Sequence, residues 1–450
     1  MRGVLKLSTF VERPRSACAL SGALAAISTL PGVIPIIHST LGCGGGLAGA
    51  TSFGAGYLGS GYCGGSSAPS SGITEKEIVF GGDKRLQEQI TATLEIMEGE
   101  LFIVTTGCMT EMIGDDVESV VSEFSESPKP VIAVSTPSFV GDSYVGYEIL
   151  LDGIFNKYLP VSNEKDDKLV NIFGLVPGYD PFFRGDLEEI ARLLRSLGLR
   201  VNTFFTPDQT FENIKQAPSA GFNIVFSHIY AGKFVRQFES KHGTPFLETN
   251  LPIGAEATDR FLYEIGQRLN IDLEIIEALI KKENKEYYGY FSRSADVFSD
   301  GDMKYYAVGV TNSNYAIPLT SFLQKELGWV VLESFVTDQL TERQKESLKK
   351  IYQKQSLDSE LIFETDTSKI AKTITKNIPD NRGQRYFDAI EPLYIVGSSL
   401  EKEFSAKLNA PLLGISFPVY NRIILDRGYA GYRGGLHLFE DLISVIVSPR

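Results

Sequence analysis

Short apolar runs alternate with amphipathic stretches along most of the chain, and each apolar run stops at a polar turn. The run "LFIVTT" leads into "GCMTEMIGDD", and "KPVIAVST" leads into "PSFVGDS". The spacing of apolar positions predicts a helix from roughly Gly82 to Glu98, then a strand at Leu101–Thr105 and another in "KPVIAVST". Strands that alternate with helices in this way are typical of a parallel sheet.

The same alternation recurs in two later segments. Strands are predicted in "LVNIFGLVPG", "RVNTFF" and "GFNIVFSH", with a helix in "RGDLEEIARLLRSLGL" that has Asp186 near its start and Gly198 at its end. Beyond Gly301, "KYYAVGVTNSNYAIPLTSFLQKELGWVVLESFV" reads as strand, loop, helix and strand. Further short strands follow in "SELIFET", "PLYIVGSS" and "APLLGISFP", and "GGLHLFEDLISVIVS" reads as a final helix. We therefore predict an α/β fold with three Rossmann-like doubly wound domains and mainly parallel sheets, at residues 1–165, 166–300 and 301–450.

Composition narrows the possible partners. The 450 residues exceed what one core usually holds, and 43% hydrophobic and 22% charged residues are ordinary for a soluble globular protein. A formal charge of −13 argues against a nucleic-acid or anionic-membrane surface. The most apolar N-terminal stretch, "SACALSGALAAISTLPGVIPIIH", is interrupted by Gly, Ser and Pro, so we predict no membrane span or secretory signal and a cytoplasmic location.

Nucleotide-binding motifs are missing from the sequence, whereas the cysteines are clustered. "GCGGG" does not form a strand-to-helix G-x-G-x-x-G pattern, and no G-x-x-x-x-G-K-[ST] loop occurs. Cys18, Cys43, Cys63 and Cys108 all lie in the first segment, and none forms a C-x-x-C pair, which argues against a zinc ribbon or a thioredoxin-type site. Single cysteines at element boundaries can converge on one iron–sulfur cluster. A packed, inert thiol is the alternative for each of them.

A glycine-rich tract runs from Gly42 to Gly72, and twelve of its thirty-one residues are glycine. Such a tract can be a flexible linker. Because it lies between cysteines and is followed by a regular pattern, we expect instead that it lets backbone approach something closely.

Several motifs together resemble the nitrogenase component 1 superfamily, and its β chains in particular. The cysteine segments are "PRSACALSGA", "IPIIHSTLGCGGG" and "TTGCMTEMIGDDV", and the likeness continues through "EIVFGGDKRL", "VSTPSFVG", "LPIGAEATDRFL" and "FPVYNRIILDRGYAGYRGG". The resemblance implies that Cys18, Cys43 and Cys108 bind an [8Fe-7S] P-cluster, or a related iron–sulfur cluster, shared with an alpha subunit. It also implies that Phe80, in "VFGG", lies at the docking surface for an ATP-dependent reductase.

The chain departs from the family pattern at two places. Asp142 follows "TPSFVG" where molybdenum-type β chains have a serine, and a carboxylate can also bind oxidised iron. An ordinary surface aspartate is the alternative there. The second departure is Cys63, in the glycine-rich tract, which is either an additional ligand or a small buried residue.

The resemblance implies an oxidoreductase with several subunits. An alpha-type component 1 subunit would complete an α2β2 heterotetramer, and an ATP-dependent iron–sulfur reductase homodimer would supply electrons. No cysteine follows Cys108, and His228, His242 and His437 lack a partner cysteine, so the substrate site is expected in the alpha subunit. Three roles remain open: a nitrogenase that reduces dinitrogen to ammonia, a methylthio-alkane reductase that cleaves thioethers, and a non-catalytic cofactor-assembly scaffold.

The acidic pair that follows the Cys108 segment has two interpretations. Asp115 and Asp116 could orient the Cys108 loop by accepting backbone amide hydrogen bonds. Alternatively, they start the next helix and complement its dipole, and the two interpretations are compatible.

Overall fold

The described strands form three sheets in which every strand runs parallel to its neighbours. The structure is a computed structural model, and it describes residues 11–56, 68–294, 296, 306–377 and 393–447. Helices follow most of the strands, as βαβ connections between parallel strands require. The predicted α/β fold with parallel sheets is confirmed.

The first sheet has three strands in the order β1–β2–β3. These are β1 (Val33–His38), β2 (Leu101–Thr106) and β3 (Val131–Val134). The helices of this segment are α1 (Ala19–Ile27), α2 (Leu41–Gly54), α3 (Glu75–Phe80), α4 (Asp83–Ile96), α5 (Cys108–Ile113), α6 (Val117–Ser122) and α7 (Ser143–Leu151). A 3-10 turn spans Ser138–Val140, and α7 continues as a π-helix over Asp152–Tyr158. The predicted helix near Gly82 to Glu98 corresponds to α4, and the predicted strand at Leu101–Thr105 to β2.

The second sheet has the order β5–β4–β6–β7. Its strands are β4 (Asp166–Phe173), β5 (Arg200–Asn202), β6 (Ala220–Val225) and β7 (Phe246–Glu248). Its helices are α8 (Phe183–Ser196), α9 (Phe211–Gln216), α10 (Gly232–His242), α11 (Gly254–Leu269) and α12 (Leu273–Phe291). The predicted amphipathic helix is α8, which buries Leu187, Ile190 and Leu194 and ends near Gly198, whose φ is +83°.

The third sheet has the order β10–β9–β8–β11–β12. Its strands are β8 (Tyr306–Thr311), β9 (Val330–Val336), β10 (Glu360–Phe363), β11 (Leu393–Gly397) and β12 (Leu412–Gly414). Its helices are α13 (Ser313–Ser321), α14 (Glu342–Lys354), α15 (Thr367–Asn377), α16 (Lys402–Lys407) and α17 (Gly431–Val447). The strand order reverses direction between β8 and β11, as in doubly wound folds.

The largest apolar core runs through all three sheets. It contains Leu101 of β2, Val170 of β4 and Ala307 of β8. The three sheets therefore share a continuous packed interior, and the boundaries of the three predicted domains stay a prediction.

A buried polar junction lies between the sheets. The Asn312 amide donates to the Tyr144 hydroxyl over 2.9 Å, and the Asn314 amide donates to Asp180 over 3.0 Å. The backbone N–H of Ser313 donates to Asp338 over 2.7 Å. These contacts connect α7 with the loops after β4, β8 and β9, so the carboxyl ends of the sheets are tied together by fixed hydrogen bonds.

The first part of the glycine-rich tract is helical, and not the flexible linker that its composition also allowed. Residues 41–54 form α2 in spite of their glycines, because packing against neighbouring elements overrides weak helix propensity. A close backbone approach occurs at Gly54, where an added Cβ would lie 2.3 Å from the Phe417 ring. Residues 57–67, and with them Cys63, lie outside the described residues.

Among the described helices, none combines the length and the apolar character needed to cross a bilayer.

Candidate metal centre

The turns that carry Cys43 and Cys108 leave the same edge of the first sheet. β1 ends at His38, five residues before Cys43, and β2 ends at Thr106, two residues before Cys108. The backbone N–H of Gly107 donates to the carbonyl of His38 over 3.0 Å, which joins the two turns. Since parallel strands present their carboxyl ends at one edge, this edge is a suitable place for a ligand.

Cys108 is the first residue of α5 and is half-buried. Its Sγ accepts a hydrogen bond from the backbone N–H of Ser138 over 3.1 Å and lies 2.9 Å from Ser138 Oγ. The partial positive charge of a helix N-terminus favours an anionic group, such as a thiolate, at this position. Cys108 is thus held by groups that suit a metal-binding sulfur.

Cys18 is the N-cap residue of α1, and its backbone pairs with that of Asp142 in an isolated antiparallel bridge. The N–H of Ala19 donates to the carbonyl of Gly141 over 3.1 Å, and the N–H of Ser143 donates to that of Ala17 over 3.0 Å. These bonds fix the Cys18 turn beside the loop that follows β3.

Helices α1 and α7 touch backbone to backbone through two glycines. An added Cβ on Gly22 would lie 1.7 Å from the carbonyl oxygen of Ser143, and one on Gly146 would lie 1.8 Å from that of Ala19. Any side chain larger than hydrogen at either position would force the helices apart. The two glycines therefore set the separation between the Cys18 and Asp142 loops.

Cys43 lies in the first turn of α2 and is half-buried. Its N–H donates to the carbonyl of Thr40 over 3.2 Å, and the Thr40 hydroxyl lies 3.6 Å from its Sγ. Cys18 and Cys43 both pack against the same small apolar cluster of Leu20, Leu24 and Ile37. All three predicted ligands are free thiols at the N-cap or in the first turn of a helix, and Cys18 and Cys43 share one apolar cluster.

The described residues contain no group of three or more His, Cys, Asp or Glu side chains spaced to hold a metal ion. Within the described residues, the three thiols therefore do not form a closed metal site. As donors they fit an iron–sulfur cluster, because each is half-buried and a helix N-terminus favours negative charge on each sulfur. A cluster bound here would need further ligands from outside the described part of the chain.

Asp142 is the N-cap residue of α7. Its Oδ1 accepts hydrogen bonds from the backbone N–H groups of Tyr144 over 3.1 Å and Val145 over 3.3 Å. Burial raises the pKa of this carboxyl above its ordinary value. Asp142 is therefore a helix cap beside Cys18, and its role as an iron ligand stays a prediction.

Phe80 ends the short helix α3 and is 82% exposed, next to Val79, which is also exposed. The helix starts with a capping box of Thr74 and Glu77 and stops at Gly81, whose φ is +89°. An aromatic side chain in this position contacts little of its own chain. The surface location expected for Phe80 is present, while reductase docking stays a prediction.

Sequence reasoning missed a buried pair behind this turn. The His38 Nε2 lies 2.9 Å from Asp115 Oδ2, and the N–H of Gly82 donates to Asp115 Oδ1 over 2.8 Å. The available signal was a histidine at the end of an apolar run, in "PIIHST", and an acid just past the Cys108 segment. The two interpretations of the acidic pair separate here, since Asp116 caps α6 through Ser119 over 3.0 Å, whereas Asp115 binds the Gly82 turn.

Four exposed apolar side chains, which we call the apolar rim, lie within four residues of Cys43, Cys108 or Asp142 along the chain. They are Leu41, Met112, Phe139 and Val140. Along α2, added Cβ atoms at Gly42, Gly45, Gly46 and Gly49 would meet nothing within 4 Å. These glycines are spaced to lie on one face of the helix, so backbone there is open to a close approach.

The other histidines lie elsewhere. His242 is buried in α10 and lies 2.8 Å from the carbonyl oxygen of Phe155, and His437 Nδ1 lies 3.2 Å from that of Gly428. His228 lines a cavity of about 520 Å³, and burial lowers its pKa to about 4. None of these contacts involves Cys18, Cys43 or Cys108, and a role outside the cluster stays a prediction for each histidine.

The chain is similar in sequence and in fold to several known proteins. The chain is 24% identical to the nitrogenase molybdenum-iron protein beta chain of Sinorhizobium fredii, over 98% of this chain and 85% of that one. It is 27% identical to the nitrogenase iron-molybdenum cofactor biosynthesis protein NifE of a Nostoc species, over 59% and 54%. A solved structure titled nitrogenase Cp1 at pH 6.5 superposes with a TM-score of 0.79 and 19% identity, covering 99% of this chain and 95% of that one. The pattern of the family described as nitrogenase component 1 type oxidoreductase matches residues 18–447, and the chain belongs to that family.

Proposed function

We propose that this chain is the β-type subunit of a two-component reductase, in which electrons pass through an iron–sulfur cluster to a cofactor in an alpha-type partner. The observation that carries the proposal is the arrangement of Cys18, Cys43 and Cys108. Each is a half-buried thiol at the N-cap or in the first turn of a helix. A backbone hydrogen bond joins the end of β1, which precedes Cys43, to the turn of Cys108, and two others join the turn of Cys18 to the loop that follows β3.

The cluster is of the [8Fe-7S] P-cluster type or a related iron–sulfur type. Thiolates are the usual ligands of such clusters, and three from one chain leave positions for thiolates of a second chain. When bound, the cluster supplies one-electron redox chemistry. The protein's own contribution is to hold the sulfurs, and the Ser138 N–H donates to Cys108 Sγ, a contact of the kind that tunes cluster potential.

An alpha-type component 1 subunit is the proposed partner, in an α2β2 heterotetramer. The apolar rim exposes large side chains close in sequence to Cys43, Cys108 and Asp142, and exposed apolar patches mark protein interfaces. The open glycine face of α2 continues this surface from Cys43 onward. A partner that covers both would complete the cluster ligands and bury the cluster.

An ATP-dependent iron–sulfur reductase homodimer is the proposed electron donor. Phe80 and Val79 project from a short, well-capped helix, and exposed aromatic side chains of this kind often anchor protein interfaces. ATP would bind on the reductase. This dependence on ATP supports the cytoplasm as the place of reaction.

Reduction of dinitrogen to ammonia is the proposed reaction, because the β-chain relative named above belongs to a nitrogenase. Thioether cleavage is the second candidate, favoured by Asp142 in place of the serine of molybdenum-type chains. The likeness to NifE over part of the chain favours a scaffold as a third candidate.

The test is anaerobic co-purification of the chain with its alpha-type partner, followed by iron analysis and turnover with the reductase and MgATP. Ammonia from dinitrogen supports the first reaction, whereas methanethiol from a thioether without ammonia supports the second. Cofactor that is bound but never turned over supports the scaffold. A complex without iron–sulfur cluster would overturn the electron-relay function altogether, and the complex without reductase is the control.

A further inference from the structure

The turn that carries Phe80 is joined to the cysteine segments by two buried side chains, His38 and Asp115. Asp115 accepts the N–H of Gly82 with Oδ1 over 2.8 Å and contacts His38 Nε2 with Oδ2 over 2.9 Å. The two side chains are 0% and 2% exposed. Buried, charge-assisted hydrogen bonds of this kind hold their partners in fixed geometry.

Both side chains belong to segments that carry cysteines. The carbonyl of His38 accepts the N–H of Gly107 over 3.0 Å and the hydroxyl of Thr110 over 2.9 Å, on either side of Cys108. Asp115 follows the last turn of α5, and its own N–H donates to the carbonyl of Thr110 over 3.2 Å. A displacement of either residue would therefore reach the Cys108 turn.

The hydrogen bonds define the state of the histidine. Burial lowers the pKa of His38, so its imidazole is neutral at neutral pH. With the Nε2–H donating to Asp115, Nδ1 accepts from the hydroxyl of Ser71, which lies 3.0 Å away. Both ring nitrogens are thus engaged and the ring cannot rotate freely.

The absence of a side chain at Gly82 leaves room for the His38–Asp115 pair. An added Cβ there would lie 2.4 Å from Asp115 Oδ2 and 3.1 Å from His38 Cε1. A second bond, from the N–H of Asp116 to Asp83 Oδ1 over 3.0 Å, fixes the next residue of the same turn. The Phe80 turn is consequently held against the Cys108 segment at two points.

We propose that His38 and Asp115 are positioning residues, which hold the Phe80 turn at a fixed separation from Cys43 and Cys108 so that reductase docking sets a productive distance to the cluster. The inference rests on the proposed function, since it takes Phe80 as the docking residue and the cysteines as cluster ligands. Efficient transfer needs the two redox centres in one defined geometry, and a loose turn would relax it.

The test uses the complex of the chain with its partner, purified anaerobically, and its cognate reductase. The variants are Asp115→Ala, which removes both bonds, and Asp115→Asn. The Asn oxygen can still accept from Gly82, and its amide N–H can donate to Nε2 once His38 takes the other tautomer, with Nδ1–H donating to the Ser71 hydroxyl. Asp116→Ala is the matched control, because it removes a helix cap at the adjacent position without touching the Gly82 N–H. Three quantities are measured: cluster iron, the rate of MgATP-dependent electron transfer from the reductase, and the rate of cluster reduction by dithionite.

We expect Asp115→Ala to slow reductase-driven transfer by about 3- to 30-fold, the size of a typical coupling energy. Iron content and reduction by dithionite should change less than about twofold, and Asp115→Asn should restore most of the reductase-driven rate. Equal rates in Asp115→Ala and Asp116→Ala, or a parallel loss of iron and of both rates, would overturn the positioning role alone. Absence of reductase-driven transfer in the unsubstituted complex would overturn the proposed function and this inference with it.

Discussion

The backbones of Cys18 and Asp142 pair in an antiparallel bridge, although the two residues lie in different turns of the first segment. The bridge places a helix-capping carboxylate beside a thiol that we propose as a cluster ligand. Asp142 Oδ1 already accepts two backbone N–H groups, so capping and iron binding are two separate roles that variants can distinguish.

Substitutions of Asp142 should separate those roles. Asp142→Ala removes the cap of α7 and should lower the free energy of unfolding by about 1 kcal/mol, whereas Asp142→Asn keeps a capping oxygen and should change it by only a few tenths. Denaturant unfolding of the chain measures both. If the carboxylate binds oxidised iron, the Asn variant should alter the spectrum of the oxidised cluster while leaving stability unchanged. An unaltered spectrum in both variants would restrict Asp142 to capping.

Removal of a cysteine sulfur should deplete the cluster. We expect Cys108→Ala, in the complex, to lose most cluster iron while circular dichroism of the chain stays close to that of the unsubstituted protein, because Cys108 is only half-buried. Ser138→Ala is the control, since it removes the neighbouring hydroxyl and keeps the backbone N–H that faces the sulfur. Full cluster iron in the Cys108→Ala complex would contradict ligation.

Phe80→Ala should weaken reductase docking without affecting folding. The side chain is 82% exposed, so the thermal midpoint should hardly move. If Phe80 is a docking anchor, the half-saturating reductase concentration should rise by about 30-fold, the effect of losing about 2 kcal/mol at an interface. Ile96→Ala, at the far end of α4 and 81% exposed, is a matched control that should leave turnover unchanged. Equal effects of the two variants would show that Phe80 is not part of the reductase interface.

Gly45→Ala should have opposite effects on the isolated chain and on the complex. Gly45 is exposed in α2, and a methyl group added there would meet open space, so alanine should stabilise the chain by about 1 kcal/mol through helix propensity. If a partner covers this face closely, the added methyl should reduce co-purification of the alpha-type subunit. Thermal unfolding of the chain and the yield of complex are the two measurements. Normal assembly would show that the partner leaves this face uncovered.

Asp338→Asn should flatten the pH dependence of stability. Burial raises the pKa of Asp338 to about 7, and its carboxylate accepts the N–H of Ser313. Between about pH 4 and pH 7 the unfolded chain loses this proton while the folded chain keeps it, so the free energy of unfolding falls as pH rises. The amide of the Asp338→Asn variant is neutral, so folding does not have to bury a charge at high pH. At about pH 8 the variant should therefore be more stable by up to about 4 kcal/mol.

Asp208, a carboxyl whose pKa is lowered and not raised, is the control for that experiment. Burial tends to raise the pKa of Asp208, but hydrogen bonds from Thr206 and Arg195 outweigh burial and lower it. Asp208→Asn should therefore remove a small stabilisation that is present above about pH 4. Urea midpoints across the pH range should move in opposite directions for the two variants, and a wild-type pH profile in Asp338→Asn would contradict the raised pKa.

The fold was largely predictable because parallel strands read as continuous apolar runs. β2 and β8 are buried along nearly their whole length, and the polar residues that follow each of them mark the sheet edge. Helix α2 was not predictable, because its glycines favour a flexible linker, and the close approaches of Gly44 to Ile37 and of Gly54 to Phe417 depend on the tertiary structure.

The placement of the cysteines at element boundaries was predictable, whereas the contacts that hold their turns were not. Thiols at element boundaries are visible in a sequence, and so is an exposed aromatic in a known motif. The bond from Asp115 to Gly82 and the bridge from Cys18 to Asp142 depend on how separate turns meet in space. Spacing along the chain carries no information about such long-range contacts.

The contact of α1 with α7 through Gly22 and Gly146 bears on the energetics of electron transfer. Two helices that meet backbone to backbone move as one body, so the turn of Cys18 and the turn of Asp142 have little freedom to shift separately. Surroundings that are already in place need not rearrange when charge on a redox centre changes. A small reorganisation energy at the cluster would then follow from the presence of glycine at positions 22 and 146.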